Sequence, residues 1–247
     1  MTCEAIICDW NGTLFLETNE EAIFRALASD LARSYLPRHP LKILHLLKVK
    51  QKLESLNSQE IEQPAVDRVI EMFRIYNQEV IRGVPMPLIR QSVEKYAGRP
   101  EVQNKIIWPV LKPVTELRKS GIAAGILSSG YDYGIRKILE ASGRSACFDF
   151  IKANPLAEAD GKATGFRLDI YKNKAEVMQT IIEKNNLEAE RIVYIGDSLD
   201  DTGCFELIGH PVVSLLTPEE LKERFARRYR AFVPKDEAEL AMYLKSV

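Results

Sequence analysis

The chain has 247 residues, of which 34 are Lys or Arg and 35 Asp or Glu, so its formal net charge is −1; a general nucleic-acid coat needs a basic excess to displace counterions, and this balance excludes one. With 46% apolar and 28% charged residues it has the make-up of a globular protein able to bury a full core, which excludes global disorder. Its apolar runs span only a handful of residues, as in Ile122 to Leu127, whereas a membrane helix needs roughly 20.

Residues 4–8 form an apolar run that ends on Asp9, and the Asn11-Gly12 pair behind it suits positive backbone dihedrals. A buried strand closed by a tight turn is predicted there. From about Asn19 to Lys105 the spacing is helical: Ala22, Ala26, Leu27 and Leu31 share a face, Ile43, Leu44 and Leu47 continue a similar stripe, and Val66, Val69, Ile70 and Phe73 with Tyr76 and Val80 repeat it. Beyond Trp108-Pro109, Leu111, Val114 and Leu117 mark a helix stopped at Gly121, and Ile122 to Leu127 reads as a strand ending before Ser128-Ser129-Gly130. A helix over Ile135 to Ala141, a short strand over Phe148 to Ile151 and a hairpin turn at Asp160-Gly161 come next. Lys174 to Lys184 is amphipathic, and Arg191 to Ile195 is a third apolar strand, ending at Gly196-Asp197. Pro211 to Leu216 and Ala231 to Val233 offer two further strands around a charged helix from Glu219 to Arg228.

This alternation predicts an α/β, Rossmann-like fold, a mostly parallel sheet with helices on both faces. Residues 1–16 and 109–247 would make the core, and 17–108 an inserted helical domain. Cys3, Cys8, Cys147 and Cys204 are scattered without a metal-ligand spacing, so they are expected as free thiols in a reducing compartment. No basic-then-apolar leader precedes the first strand, and a cytoplasmic location is the matching expectation.

Three strand ends carry polar groups straight after an apolar run: Asp9, Ser128 with Ser129, and Asp197. Open parallel sheets bind ligands beyond the carboxyl ends of their strands, so these remote residues are expected to meet in one site. Asp9 and Asp197, with Asp200 and Asp201 one turn on, offer the hard oxygen donors that magnesium prefers. Like charges so close require a cation or raised pKa values.

Taken together, these residues resemble the haloacid dehalogenase superfamily and, within it, its magnesium-dependent phosphatases. Asp9-Trp10-Asn11-Gly12-Thr13-Leu14 is similar to the first motif, whose opening aspartate is phosphorylated; Ser128 matches the second; Lys174, 23 residues before Asp197, matches the third; and Gly196-Asp197-Ser198-Leu199-Asp200-Asp201 is similar to the fourth. The resemblance implies Asp9 as nucleophile, with Thr13, Ser128, Ser129, Gly130 and Lys174 holding the phosphoryl group. It implies Mg2+ bound by Asp9, the carbonyl of residue 11 and Asp197, with Asp201 in support, and a helical cap whose closure excludes water. The expected partner is a small phosphorylated metabolite, with neither nucleic acid nor membrane. The stretch Ala153-Asn154-Pro155-Leu156 and the turn at Asp160-Gly161 resemble the phosphoserine phosphatase-like branch. Thr18, however, stands nine residues after Asp9, where those enzymes carry a substrate-reading glutamate.

Asn11 departs from the family pattern, which places an acid-base aspartate two residues after the nucleophile. A carboxamide cannot exchange a proton, a function worth about 10² to 10⁴ in rate. Three readings therefore stand side by side: a phosphohydrolase or phosphotransferase, a catalytically weakened relative that binds a phosphometabolite or a protein, and a phosphonate or haloacid hydrolase. The acidic metal cluster counts against dehalogenation, which proceeds in those relatives without a metal. Plainer roles compete residue by residue. Asp200 can serve as an N-terminal helix charge and Ser129 as a helix cap, while Lys162 and Lys172 rival Lys174. His39, His45 and His210 are assigned no role. Arg33 to Lys52 holds six basic residues and no acid, either a solvated face or an attractor of anions. The arginines at 224, 227, 228 and 230 read as a solvated face.

Overall fold

In the computed structural model, which describes residues 3–35, 39–58, 65–171 and 173–247, the first apolar run is strand β1 (Ala5–Cys8), buried throughout. Then come β2 (Ala123–Tyr131), β3 (Phe150–Asn154), β4 (Leu156–Ala159), β5 (Lys162–Phe166), β6 (Ile192–Gly196) and β7 (His210–Val213). The helices are α1 (Asn19–Tyr35), α2 (Pro40–Ser58), α3 (Ala65–Ile75), α4 (Met86–Ala97), α5 (Pro100–Gln103), α6 (Trp108–Lys119), α7 (Asp132–Ala141), α8 (Lys174–Asn185), α9 (Thr202–Leu207), α10 (Glu219–Tyr229) and α11 (Glu237–Ser246). Lys172 and the side chains of Val66 and Val69 lie outside the described residues.

Among the described residues, five strands pair in parallel in the order β3-β2-β1-β6-β7. Alternation along each strand sends side chains to opposite faces. Ala5, Ile7, Tyr194 and Val213 pack with Met178, Ile181, Phe205 and Phe225 of α8, α9 and α10. Ile6, Cys8, Val193, Ile195 and Val212 take the alternate positions and are fully buried, on a sheet whose β2 also meets α6 and α7. Burial on both faces explains why these strands read as unbroken apolar runs. The α/β, Rossmann-like expectation therefore holds.

Several strand bounds differ from the sequence reading: β3 and β7 lie at Phe150–Asn154 and His210–Val213 rather than at 148–151 and 211–216. β2 does not stop at Leu127; it runs on to Tyr131, which pairs with Asn154 of β3 across a register shift. The expected strand at 231–233 shrinks to a single bridge between Val212 and Phe232, because Pro234 brings no N–H to extend the ladder.

The chain divides into two units, one of Met1–Asn19, Ala97–Asn154 and Leu168–Val247, the other of Glu20–Tyr96 and Pro155–Arg167. The predicted division at 1–16, 17–108 and 109–247 thus differs from these units in three places, and residues 17–19 fall with the sheet. Residues 97–108 belong with the sheet, since Ile107 N–H donates to the Leu14 carbonyl at 2.9 Å and Leu16 N–H to that of Lys105 at 3.0 Å. The β4–β5 hairpin belongs with the helical unit. Its turn at Asp160 and Gly161 has the positive φ values of 49° and 72° that the dipeptide predicted. Gly83 N–H donates to the Ala163 carbonyl at 2.8 Å and Met86 N–H to that of Gly161 at 2.9 Å. Phe166 sets its ring 5.3 Å from those of both Phe24 and Phe73.

Candidate active site

β1 hands over to the site at Asp9, whose N–H continues the sheet by donating to the Ile195 carbonyl at 2.9 Å. The chain then turns around the Trp10 carbonyl, which accepts from the N–H groups of Leu14 and Phe15 at 2.9 and 2.8 Å. Trp10, Leu14 and Phe15 are completely buried, and the Trp10 and Phe15 rings stack with centroids 5.3 Å apart. Apolar anchors fix the loop that presents a carboxylate.

Asp197 follows β6 and lies against this turn. A Cβ on Gly12, at φ +75°, would come within 2.2 Å of Asp197 Oδ2, so only glycine lets the two segments meet. The Thr13 hydroxyl donates to Asp197 Oδ1 at 3.2 Å. Thr13 itself has no exposed surface.

Asp201 folds back under β6. Its Oδ2 accepts from the N–H groups of Asp197 and Ser198 at 2.9 and 3.0 Å, and its Oδ1 from Lys174 Nζ and the Tyr194 hydroxyl, both at 2.6 Å. A Cβ on Gly196 would sit 2.5 Å from the Asp201 carboxyl carbon, so this second close approach also requires glycine. Lys174, the first residue of α8, reaches Asp9 Oδ1 as well, at 2.8 Å. One ammonium group thus bridges two buried carboxylates.

Oxygens of Asp9, Asp197 and Asp201 lie within 4.8 Å of one another. Three carboxylates face one lysine, and their pKa values register the imbalance. Burial, with the Asp201 charge adding to it and Lys174 opposing it, pushes Asp9 up to about 6. Burial and the charges of Asp9 and Asp201 push Asp197 up to about 8. For Asp201 burial acts in the same sense, but Lys174 and the Tyr194 hydroxyl prevail and hold it below the usual carboxylate range. Lys174, despite burial, is held charged by Asp201 and Asp9. The donor set is all oxygen and carries surplus negative charge, which fits a hard divalent cation such as magnesium.

Ser128 is fully buried on the part of β2 past Leu127, and its Oγ accepts from Gly130 N–H at 3.1 Å. Because Cys8 of β1 is level with Ile126 of β2 and Ile195 of β6, Asp9, Ser128 and Asp197 all emerge at the same end of three adjacent strands. Ser129 does not cap the next helix: the residue preceding α7 is Tyr131, which makes no side-chain cap. The Ser129 carbonyl instead accepts from Asn154 Nδ2 at 2.6 Å, while Asn154 Oδ1 accepts from Ile170 N–H at 2.9 Å. Asp200 takes the place proposed for a helix charge, in the turn Leu199–Asp201 ahead of α9. Asn11 Oδ1 accepts from Asn19 N–H at the start of α1, at 3.0 Å. Lys162 is exposed on β5.

Sequence reasoning missed Tyr194, Asn154, Asn19 and Ser214. Tyr194 sits inside an apolar run and looks like core. Ser214 closes β7, its N–H donating to the Gly196 carbonyl at 2.8 Å and its hydroxyl to the Gly12 carbonyl at 3.3 Å. Only the habit of polar residues gathering at strand ends could have flagged it.

The haloacid dehalogenase-like hydrolase family model matches residues 6–206. A phosphoserine phosphatase of Methanocaldococcus jannaschii is 30% identical over 148 residues, which cover 59% of this chain and 64% of that protein; the chain thus spans just under two thirds of its relative's length. The solved structure of a substrate-bound phosphoserine phosphatase complex superposes with a TM-score of 0.64 at 17% identity, covering 99% of this chain and 100% of the other. A Bordetella pertussis Tohama I protein of unknown function gives a TM-score of 0.66 at 15% identity, over 94% and 98% of the two chains.

Proposed function

We propose, from the fact that this chain belongs to the haloacid dehalogenase-like hydrolase family, that it is a magnesium-dependent phosphohydrolase acting on a small phosphorylated metabolite through an aspartyl-phosphate intermediate. The observation that carries this reading is Lys174 bridging Asp9 and Asp201 beside Asp197, with no more than a few per cent of Lys174, Asp9 or Asp201 exposed. A carboxylate attacking a phosphoester meets like charge, so the attack needs fixed positive charge and a fixed line of approach.

In this reading the Asp9 carboxylate attacks phosphorus and the bond to the leaving oxygen breaks. Water then attacks the same phosphorus, the Asp9–phosphorus bond breaks, and the carboxylate is restored with release of phosphate. Lys174 steadies Asp9 and faces the phosphoryl oxygens. Ser128 accepts from Gly130 N–H and so keeps its own hydroxyl hydrogen to donate to a phosphoryl oxygen. Magnesium would be held by Asp9, the carbonyl of Asn11 and Asp197, and when bound it supplies charge neutralisation at the phosphoryl group. Asp201, its oxygens engaged by Lys174, Tyr194 and two backbone N–H groups, is a positioning residue rather than a direct ligand. Thr13 likewise orients Asp197.

Asn11 supplies no proton, so aryl and acyl phosphates, whose leaving groups need none, are the preferred substrates. The same residue favours one alternative, a relative that binds a phosphorylated metabolite and turns it over poorly. Phosphoserine, the substrate named for the relatives, belongs in the test panel, although Thr18 replaces the glutamate those enzymes use. The test is release of p-nitrophenol from its phosphate with magnesium and with EDTA; turnover indifferent to EDTA would overturn the proposal. Asn11→Asp should raise turnover of alkyl phosphates by up to about 10²-fold and change aryl phosphates less. An unchanged alkyl rate would mean that another group already provides the proton.

A further inference from the structure

Leu41, Leu44 and Leu47 are 79%, 55% and 52% exposed and follow one another at intervals of three along α2. They form a stripe on the solvent side of that helix. Lys48 and Lys52, one turn apart, border the stripe on one side and Lys50 on the other, and all three are exposed. The other large exposed apolar side chains, such as Leu16, Leu88, Trp108 and Met242, stand singly in separate segments. Scattered apolar residues need no explanation; a contiguous stripe does. Charge is concentrated in the same place, since Arg33 to Lys52 contains six basic residues and no acid in a chain of net charge −1. Neighbouring segments offset part of it, with Asp30 3.3 Å from Arg33, Glu54 3.6 Å from Lys50 and Glu79 3.2 Å from His45.

We propose that this face of α2 docks the protein on an anionic lipid surface, the leucines entering the boundary between headgroups and acyl chains and the lysines meeting the lipid phosphates. A second copy of the chain is a poor occupant, because it would bring two basic stretches together. A protein partner is disfavoured by composition: the leucine stripe and the three lysines bordering it include no Trp, Tyr or Arg, the residues that anchor protein interfaces, and consist of Leu and Lys, which such hot spots and interfaces under-use. Beside the stripe lies a cavity of about 610 Å³, whose lining includes the apolar Ile43, Leu46, Val49, Leu53 and Val80, the charged Glu21, Arg25 and Glu54, and Leu47 and Lys50 of the stripe and its border. The stripe therefore adjoins a hollow whose apolar walls suit an acyl chain and whose lining also holds charged side chains. The proposal departs from the expectation that a membrane plays no part.

The test is sedimentation of the full chain with vesicles of phosphatidylcholine alone and of phosphatidylcholine mixed with phosphatidylglycerol. At least a roughly tenfold preference for the anionic vesicles is expected, lost in L44S/L47S and in K48E/K52E and weakened by added salt. Circular dichroism and urea unfolding serve to check that the variants remain folded. Wild type that stays in the supernatant with both vesicles, or binds both equally, overturns the proposal. So does a dimer on size exclusion that L44S/L47S makes monomeric, or tighter binding to polyglutamate than to anionic vesicles.

Discussion

Charge is dense both at the carboxyl ends of β1 and β6 and along α2, and the two regions treat it in opposite ways. At the strand ends Asp9, Lys174 and Asp201 are almost wholly buried, and each ionised group is fixed by hydrogen bonds to the next. Along α2 the lysines point into water, and the ion pair of Lys50 with Glu54 joins side chains that are both more than 60% exposed. Buried charges are costly to hold and costlier to leave unpaired, so such a cluster persists where geometry matters more than stability. Exposed charges contribute little energy apiece and act through their sum, as an attraction felt at a distance.

Substitutions test that contrast in steps. Asp9→Asn removes the proposed nucleophile and should lower turnover by about 10³-fold or more in a steady-state assay; full activity would remove the chemical rationale for the buried cluster. Lys174→Met leaves Asp9 and Asp201 without their shared cation and should cost about 3–5 kcal/mol in urea unfolding at pH 8 without magnesium. A cost near that of a surface lysine would show that the cluster is wetter than its burial implies.

Asp197 gives a pH signature. Its folded-state pKa of about 8 lies above the unfolded value, so the folded protein binds this proton the more tightly. The associated stability is present below about pH 4 and is lost as the pH rises towards 8; Asp9, raised to about 6, acts in the same direction. His210, held below its ordinary value by burial, acts in the opposite direction. Comparing wild type with Asp197→Asn isolates Asp197. In EDTA at pH 8 the variant should be more stable by about 2 kcal/mol, at pH 5 the gap should narrow, and magnesium should stabilise wild type alone. A pH-independent gap would mean that Asp197 does not feel its acidic neighbours.

The smallest effect belongs to the helical unit. Burial tends to raise the pKa of Asp30, but hydrogen bonds from Lys95 and Ser92 hold it below the usual carboxylate range. Because Lys95 is half-exposed and Asp30 keeps contact with water, although Ser92 is buried, Asp30→Ala should cost only about 0.5–1 kcal/mol in thermal unfolding at pH 7. A loss as large as that of Lys174→Met would erase the distinction between the regions.

The sequence was legible where a signal is local. The runs that became β1 and β6, the Asp160-Gly161 turn and the carboxylates at strand ends each follow from a few adjacent residues. It was opaque where position depends on a distant partner. β2 extends past Leu127 because Tyr131 finds Asn154, and no short-range pattern contains that pairing. The hairpin at 156–166 was visible, but its attachment to the helical unit rests on Phe166 meeting Phe24 and Phe73, far apart in the chain. Tyr194 was hidden for the opposite reason: an aromatic ring inside a strand looks like packing, and its hydroxyl matters only because Asp201 curls beneath it.

The two glycines at 12 and 196 set a boundary for anyone re-aiming this scaffold at a chosen substrate. Even one methyl group there would collide with the carboxylate of Asp197 or Asp201. Mutant libraries should leave both untouched and spend their diversity elsewhere, because variants altered at these positions would fail by displacing an acid before any new selectivity was sampled.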